Sequence, residues 1–179
     1  MQAPTFRAIT TRYKGYAFRS RLEARWAVFF DHLGIRWEYE PEGFELGNGL
    51  RYLPDFWLPD WRLWVEVKPG APDDVARKKA ERLAIAKGAP VLIVDGMPGG
   101  RVCAYMPRGE GADVSVYEAW VPWNEDGVGY LQAPAPLMVG DTYEFYPMDH
   151  LDSALYGAAE EALIAARSAR FEFGEKGGL

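Results

Sequence analysis

The sequence predicts an α/β fold, and three observations carry that prediction. Residues 21–33 place Leu22, Trp26, Phe29, Phe30 and Leu33 at helical spacing, with Gly34 following as a helix-ending glycine. Residues 52–58 and 62–68 are rich in strand formers and flank Pro59-Asp60, a turn signal, which makes them a hairpin. A helix opened by Asp73 or Asp74 runs to about Lys87 and stops at Gly88. The apolar run Val91-Leu-Ile-Val94 comes next, the pattern of a crossover to a buried parallel strand.

The elements follow in order. Ser20 stands three residues before Glu23, the spacing of a capping box for a helix starting near Arg21. Ile35–Glu40 is expected as a strand, Phe44–Leu46 as a shorter one, and Gly47-Asn48-Gly49 as a turn. Pro54 lies inside the 52–58 run, which marks a strand edge or a bulge. Along 62–68 the two-residue period sends Leu63, Val65 and Val67 to one face and Trp64, Glu66 and Lys68 to the other. Pro69-Gly70 ends that strand.

In the next helix Val75, Leu83 and the alanines are expected inward, with Arg77, Lys78, Lys79 and Arg82 outward. Arg101–Met106 and Val114–Trp123 read as strands, Tyr143–Tyr146 as a short one. The last helix runs from about Asp149 or Asp152 to Phe171. Its small-residue face suits close packing. The organisation expected is a core over 1–106 with a basic N-terminal arm, and an extension over 107–179 packed on it, one domain overall.

Composition narrows the classes. A hydrophobic fraction of 49% is ample for a packed core. No apolar run approaches the ~18 residues of a membrane span, and no leader is visible. The lone Cys103, in a strand, reads as a small buried hydrophobe, and a cytoplasmic setting is the expectation. The net charge of −6 is unevenly spread. Residues 1–30 carry six basic residues against Glu23 alone, whereas residues 108–165 carry Arg108 against eleven acidic residues. A polyanionic partner such as DNA would therefore meet the N-terminal side. Arg12, Lys14, Arg19 and Arg21 are the expected phosphate contacts, with Tyr13, Tyr16 and Phe18 interleaved, and Lys78 or Lys79 joins them from the second helix, where a solvated face is the alternative.

The candidate site is Asp55, Glu66 and Lys68, with Glu23 as a third carboxylate. In the hairpin, Asp55 comes within reach of Glu66, since cross-strand neighbours sit about 5 Å apart. Acidic oxygens with one lysine and no Cys/His cluster suit a hard cation, Mg²⁺ or Mn²⁺, rather than zinc. Glu66 sits in an apolar strand, so its charge must be compensated by Lys68, an arginine or a cation. A plain Glu66–Lys68 ion pair is the structural alternative. Glu23 has one too, as the capping-box residue.

Glu66-Val67-Lys68 after an apolar strand, preceded by Pro54-Asp55 and by a helix bearing Glu23, resembles the PD-(D/E)XK nuclease superfamily. The run Phe18-Arg-Ser-Arg-Leu-Glu-Ala-Arg-Trp-Ala27 is similar to the start of its small phage-type and transposase-end-cleavage members. The resemblance spans roughly residues 15–106. It implies an αβββαβ restriction-endonuclease-like core with a mixed sheet, and cation-dependent cleavage of DNA phosphodiesters by an endonuclease, nickase or branched-DNA resolvase. On that reading Asp55, Glu66 and the Val67 carbonyl hold the cation, with Glu23 completing the shell, and Lys68 handles the attacking water. A homodimer would suit paired strand cuts. Glutamine occurs only at Gln2 and Gln132, so the Gln-x-x-x-Tyr helix motif of RecB-like exonucleases is missing. Two other classes stand beside the nuclease: a nucleic-acid-binding or assembly subunit on the same fold, and a protein-interaction module.

Overall fold

A computed structural model of the chain describes residues 8–108, 113–119, 137–139, 142–144 and 153–171. Thr11–Tyr13 (β1) and Tyr16–Phe18 (β2) form a hairpin within the expected basic arm. Its two-residue turn, Lys14-Gly15, has φ of 46° and 86°. Positive φ at both positions is what a type I′ turn requires. Arg12 stays exposed on β1, but Lys14 Nζ is tied 3.0 Å from Asp31 Oδ1 on the following helix.

That helix, α1, spans Arg21–His32. Ser20 is its N-cap, accepting from the Glu23 N–H. At its other end the Gly34 N–H donates to the Asp31 carbonyl (3.0 Å) and the Ile35 N–H to the Phe30 carbonyl (2.9 Å). This is the Schellman pattern, and the φ of 66° at Gly34 is why glycine stands there. Trp26, Ala27, Phe29 and Phe30 make the buried stripe.

The strand region is more fragmented than the hydrophobic pattern implied. Only Glu38–Tyr39 (β3) of the expected 35–40 strand pairs. The 52–58 run divides into Arg51–Tyr52 (β5) and Phe56–Leu58 (β6). Pro54 lacks the N–H that a continuous ladder needs, and the chain changes sheets there. Strand β5 pairs with Phe44–Glu45 (β4) in a small separate hairpin, whereas β6 joins the main sheet. Asp55 is thus left at the mouth of β6.

Leu63–Lys68 is β7, Asp74–Lys87 is α2, Val91–Asp95 is β8, Arg101–Arg108 is β9 and Asp113–Ala119 is β10. The main sheet has six strands in the order β10-β9-β8-β7-β6-β3. Strands β7 and β8 are parallel, with α2 as the crossover, and the other pairs are antiparallel. Asp73 caps α2 by accepting from the Ala76 N–H at 2.7 Å, and Gly88 ends it in the left-handed conformation. Val75 is 57% exposed, contrary to its expected inward place, because Ala76, Ala80, Leu83 and Ala84 form the buried stripe instead.

Strand β7 is covered on both faces. Leu63, Val65 and Val67 pack with α1, while Trp64 packs with α2 residues. The last helix, α3 (Ser153–Ser168), buries Ala162, Leu163 and Ala166 in the same core as α1. Arg25 Nη1 of α1 donates to the carbonyls of Ala166 (3.3 Å) and Arg167 (2.6 Å), so a residue of the basic segment serves as a helix cap. Cys103 is buried, as expected. Leu137–Val139 (β11), absent from the sequence reading, pairs with Thr142–Glu144 (β12), where a short strand over 143–146 was expected. Trp120 and Trp123, the loop at 124–127, Tyr146 and the tail beyond Phe171 lie outside the described residues. Among the described residues no helix is long and apolar enough to cross a membrane.

Candidate active site

The site forms where β6 begins and β7 ends. Phe56 faces Val65 in the antiparallel register, so Asp55 and Glu66 are the next opposed pair. Both are buried, at 3% and 8% exposure. Asp55 Oδ2 accepts from the Val67 N–H at 2.7 Å, and Oδ1 accepts from Arg19 Nη2 at 2.6 Å. Glu66 Oε1 is 2.6 Å from Lys68 Nζ, and the buried Tyr52 hydroxyl also reaches the Glu66 carboxylate. The N–H and C=O of one strand residue point to the same edge. The Val67 carbonyl is therefore directed toward the gap in front of β6, beside Asp55.

Burial and the neighbouring charge of Glu66 push the Asp55 carboxyl up to about 8, against the pull of the Val67 amide and of Arg19. Tyr52, buried nearby, is held well above the usual phenol range by burial and by the charges of Glu66 and Asp55, so it remains a hydroxyl.

Glu23 is engaged at the helix start. Its Oε1 accepts from Ser20 Oγ at 2.7 Å, and its Oε2 accepts from Tyr39 Oη at 2.6 Å and from the Arg19 N–H at 3.0 Å. The Ser20 half of the capping box is therefore present, whereas the Glu23 carboxylate takes the Arg19 N–H in place of the Ser20 N–H, and its charge still reaches Asp55. Among the described residues no group of three or more His, Cys, Asp or Glu side chains converges to hold a metal ion. Asp55 and Glu66 are the opposed buried carboxylates of the cluster, and Glu23 stands behind them. Ser20→Ala is expected to lower stability by about 1 kcal/mol through loss of the cap, read as a shift in the thermal denaturation midpoint.

Glu40 belongs to the cluster and was not singled out from the sequence. It has φ of 46°, unusual for any non-glycine and doubly so before Pro41. Its N–H donates to the Asp55 carbonyl at 2.9 Å, and its Oε1 lies 2.6 Å from Arg19 Nε. Burial raises its carboxyl above the ordinary range. The four carboxylates Glu23, Glu40, Asp55 and Glu66 thus outnumber the two basic side chains among them, Arg19 and Lys68, and the raised carboxyls of Asp55 and Glu40 reflect that crowding. Crowded oxygen donors of this kind fit a hard divalent cation.

The cluster opens on a cleft of about 590 Å³, lined by Arg19, Arg51, Tyr52, Glu66, Lys68 and Lys79 among others. Lys79, not Lys78, is the α2 residue in its wall. Lys79 lies over the Tyr52 ring at 5.8 Å, while Lys78 faces solvent. Of the expected phosphate contacts, Arg19 reaches the cleft. Lys14 lines a different groove with Tyr16 and Trp37, and Arg12 and the half-buried Arg21 are outside the cleft wall. No protein-family model, curated protein or solved structure matches this chain.

Proposed function

We propose that the protein is a Mg²⁺- or Mn²⁺-dependent deoxyribonuclease that cuts internal phosphodiester bonds. The observation carrying this reading is Glu66. It is a buried carboxylate opposed to the buried Asp55 and next to an amine, and it opens on a cleft whose wall carries Arg19, Arg51, Lys68 and Lys79 against Glu45. Burial of such charge is costly unless a cation compensates it. The succession α1, β3, β6, β7, α2, β8 supports the restriction-endonuclease-like core that the resemblance implies.

Asp55, Glu66 and the Val67 carbonyl would hold the cation, with water filling the remaining positions. When bound, the cation lowers the pKa of a water and polarises the scissile phosphate. The Lys68 amine, one-third exposed beside Glu66, is positioned to orient that water or to offset charge gathering on the phosphate oxygens. Arg51 and Lys79 line the same cleft and would hold flanking phosphates. The 2.6 Å Glu66–Lys68 pair is what favours the second reading, a DNA-binding subunit without cleavage. Against it, Lys68 is a single cation beside two opposed buried carboxylates, Asp55 and Glu66.

Incubation with supercoiled plasmid, branched DNA and single strands, with Mg²⁺, Mn²⁺ or chelator, tests the proposal. Cation-dependent cuts should appear, reduced about 10²–10⁴-fold in Lys68→Ala, with circular dichroism verifying the fold. DNA binding without cation-dependent cutting would favour the subunit.

A further inference from the structure

We infer that Arg19 is a displaceable cation: it occupies Asp55 and Glu40 in the cation-free protein, and a divalent ion drives it off into the cleft, where it binds a substrate phosphate. The inference rests on Asp55 and Glu66 being the cation site.

The geometry separates the anchored part of Arg19 from the free part. Its backbone N–H donates to Glu23 Oε2 and Tyr39 Oη, both at 3.0 Å, which pins the residue at the start of α1. The side chain is 55% exposed although it reaches a carboxylate only 4% exposed. The guanidinium therefore sits at the mouth of the cluster, with solvent behind it and room to turn. It divides between two anions, Nη2 to Asp55 Oδ1 and Nε to Glu40 Oε1, each at 2.6 Å.

Of the two Asp55 oxygens, Oδ2 accepts from the Val67 N–H and Oδ1 from Arg19, so a cation joining Asp55 to Glu66 competes with Arg19 for one carboxylate. A divalent ion and a guanidinium on the same carboxylate repel strongly in a buried setting. Arg19 must then give up Asp55. Its side chain already lines the cleft with Arg51, Lys68 and Lys79, and a planar guanidinium fork matches a phosphate better than it matches water. Cation entry thereby releases a phosphate ligand. By reciprocity, phosphate capture by Arg19 removes the competitor of the cation. Arg19 is a positioning residue in the free protein and a phosphate ligand in the loaded one.

Three measurements test this. At neutral pH, calorimetric titration with Mn²⁺ should give roughly tenfold tighter binding to Arg19→Ala than to wild type. Arg19→Lys, which keeps the charge without the fork, should fall between them and serves if the alanine variant does not fold. In ¹⁵N NMR the Arg19 Nε–H resonance, held by Glu40 in chelator, should move toward solvent-exchanged values on Mg²⁺ saturation. In a Lys68→Ala background, Arg19→Ala should weaken binding of a short oligothymidylate in Mg²⁺ and leave it unchanged in chelator. Unchanged or weaker Mn²⁺ affinity in the Arg19 variants, with Asp55→Asn abolishing it, overturns the displacement while leaving the cation site standing. Absence of Mn²⁺ binding in wild type and Arg19→Ala alike overturns the nuclease reading and this inference together.

Discussion

Asp55→Asn is expected to abolish cation-dependent cleavage and, in the same protein, to raise the stability of the cation-free fold at pH 8 and above. The two effects have one cause. Asp55 is buried opposite Glu66, and its carboxyl is pushed from 3.8 to about 8 by burial and by that charge. The folded protein therefore keeps a proton that the unfolded chain gives up near pH 4. The stability this contributes is fully present below the unfolded value and is lost as pH rises through about 8. Above that, wild type carries the desolvated charge and its repulsion from Glu66. Asparagine carries neither and can still accept from the Val67 N–H. The gap between the two proteins should widen with pH to on the order of a few kcal/mol. Thermal melts in chelator from pH 5 to 9 measure it. A wild-type midpoint that falls no faster than that of the variant would mean that Asp55 bears no such strain. The same substitution removes a charged ligand of the proposed cation, so plasmid cleavage should vanish. Stability gained where activity is lost is the behaviour of a residue kept for chemistry.

Phe56→Ala should be the most damaging single change to the fold, at about 3–5 kcal/mol. The ring is 0% exposed and stands at the centre of an aromatic cluster. Its centroid lies 5.4 Å from Phe30, 5.6 Å from Tyr39, 5.8 Å from Trp37 and 6.1 Å from Phe18. These rings come from α1, β2, β3 and the chain before β3, so removing one opens a cavity among elements that cannot close on it together. Phe56 also adjoins Asp55, and a shift of β6 would carry that carboxylate away from Glu66. Urea denaturation with a fitted slope gives the loss, and Phe56→Leu should recover most of it. A cost near 1 kcal/mol for the alanine variant would show that the cluster relaxes freely and does not hold the site in place.

The parts of the site that were readable in the chain are those set by neighbours in sequence. Glu66 and Lys68 share a face because strand side chains alternate, whatever surrounds them. Ser20 and Glu23 meet because they are three residues apart at a helix start. Gly34 and Gly88 end their helices because left-handed backbone favours glycine. The approach of Asp55 to Glu66 was also legible, since a hairpin about Pro59-Asp60 brings them together.

What hid from the sequence depends on contacts between distant residues. Arg19 looked like one of several basic residues in an arm, yet it lies 36 residues from the Asp55 it pairs with. Glu40 resembled a strand end before a proline, and nothing local announces its positive φ. The choice between Lys78 and Lys79 stayed open in the sequence; Lys79 reaches the cleft because a helix turns about 100° per residue, and only the packing of Ala76, Ala80 and Leu83 sets which side faces the sheet. By itself the chain determined its periodicities, its helix ends and which side chains share a strand face, because these are short-range consequences of backbone geometry. The tertiary structure alone decided which charges share a buried volume, because burial and Coulomb forces act through space and take no account of separation along the chain.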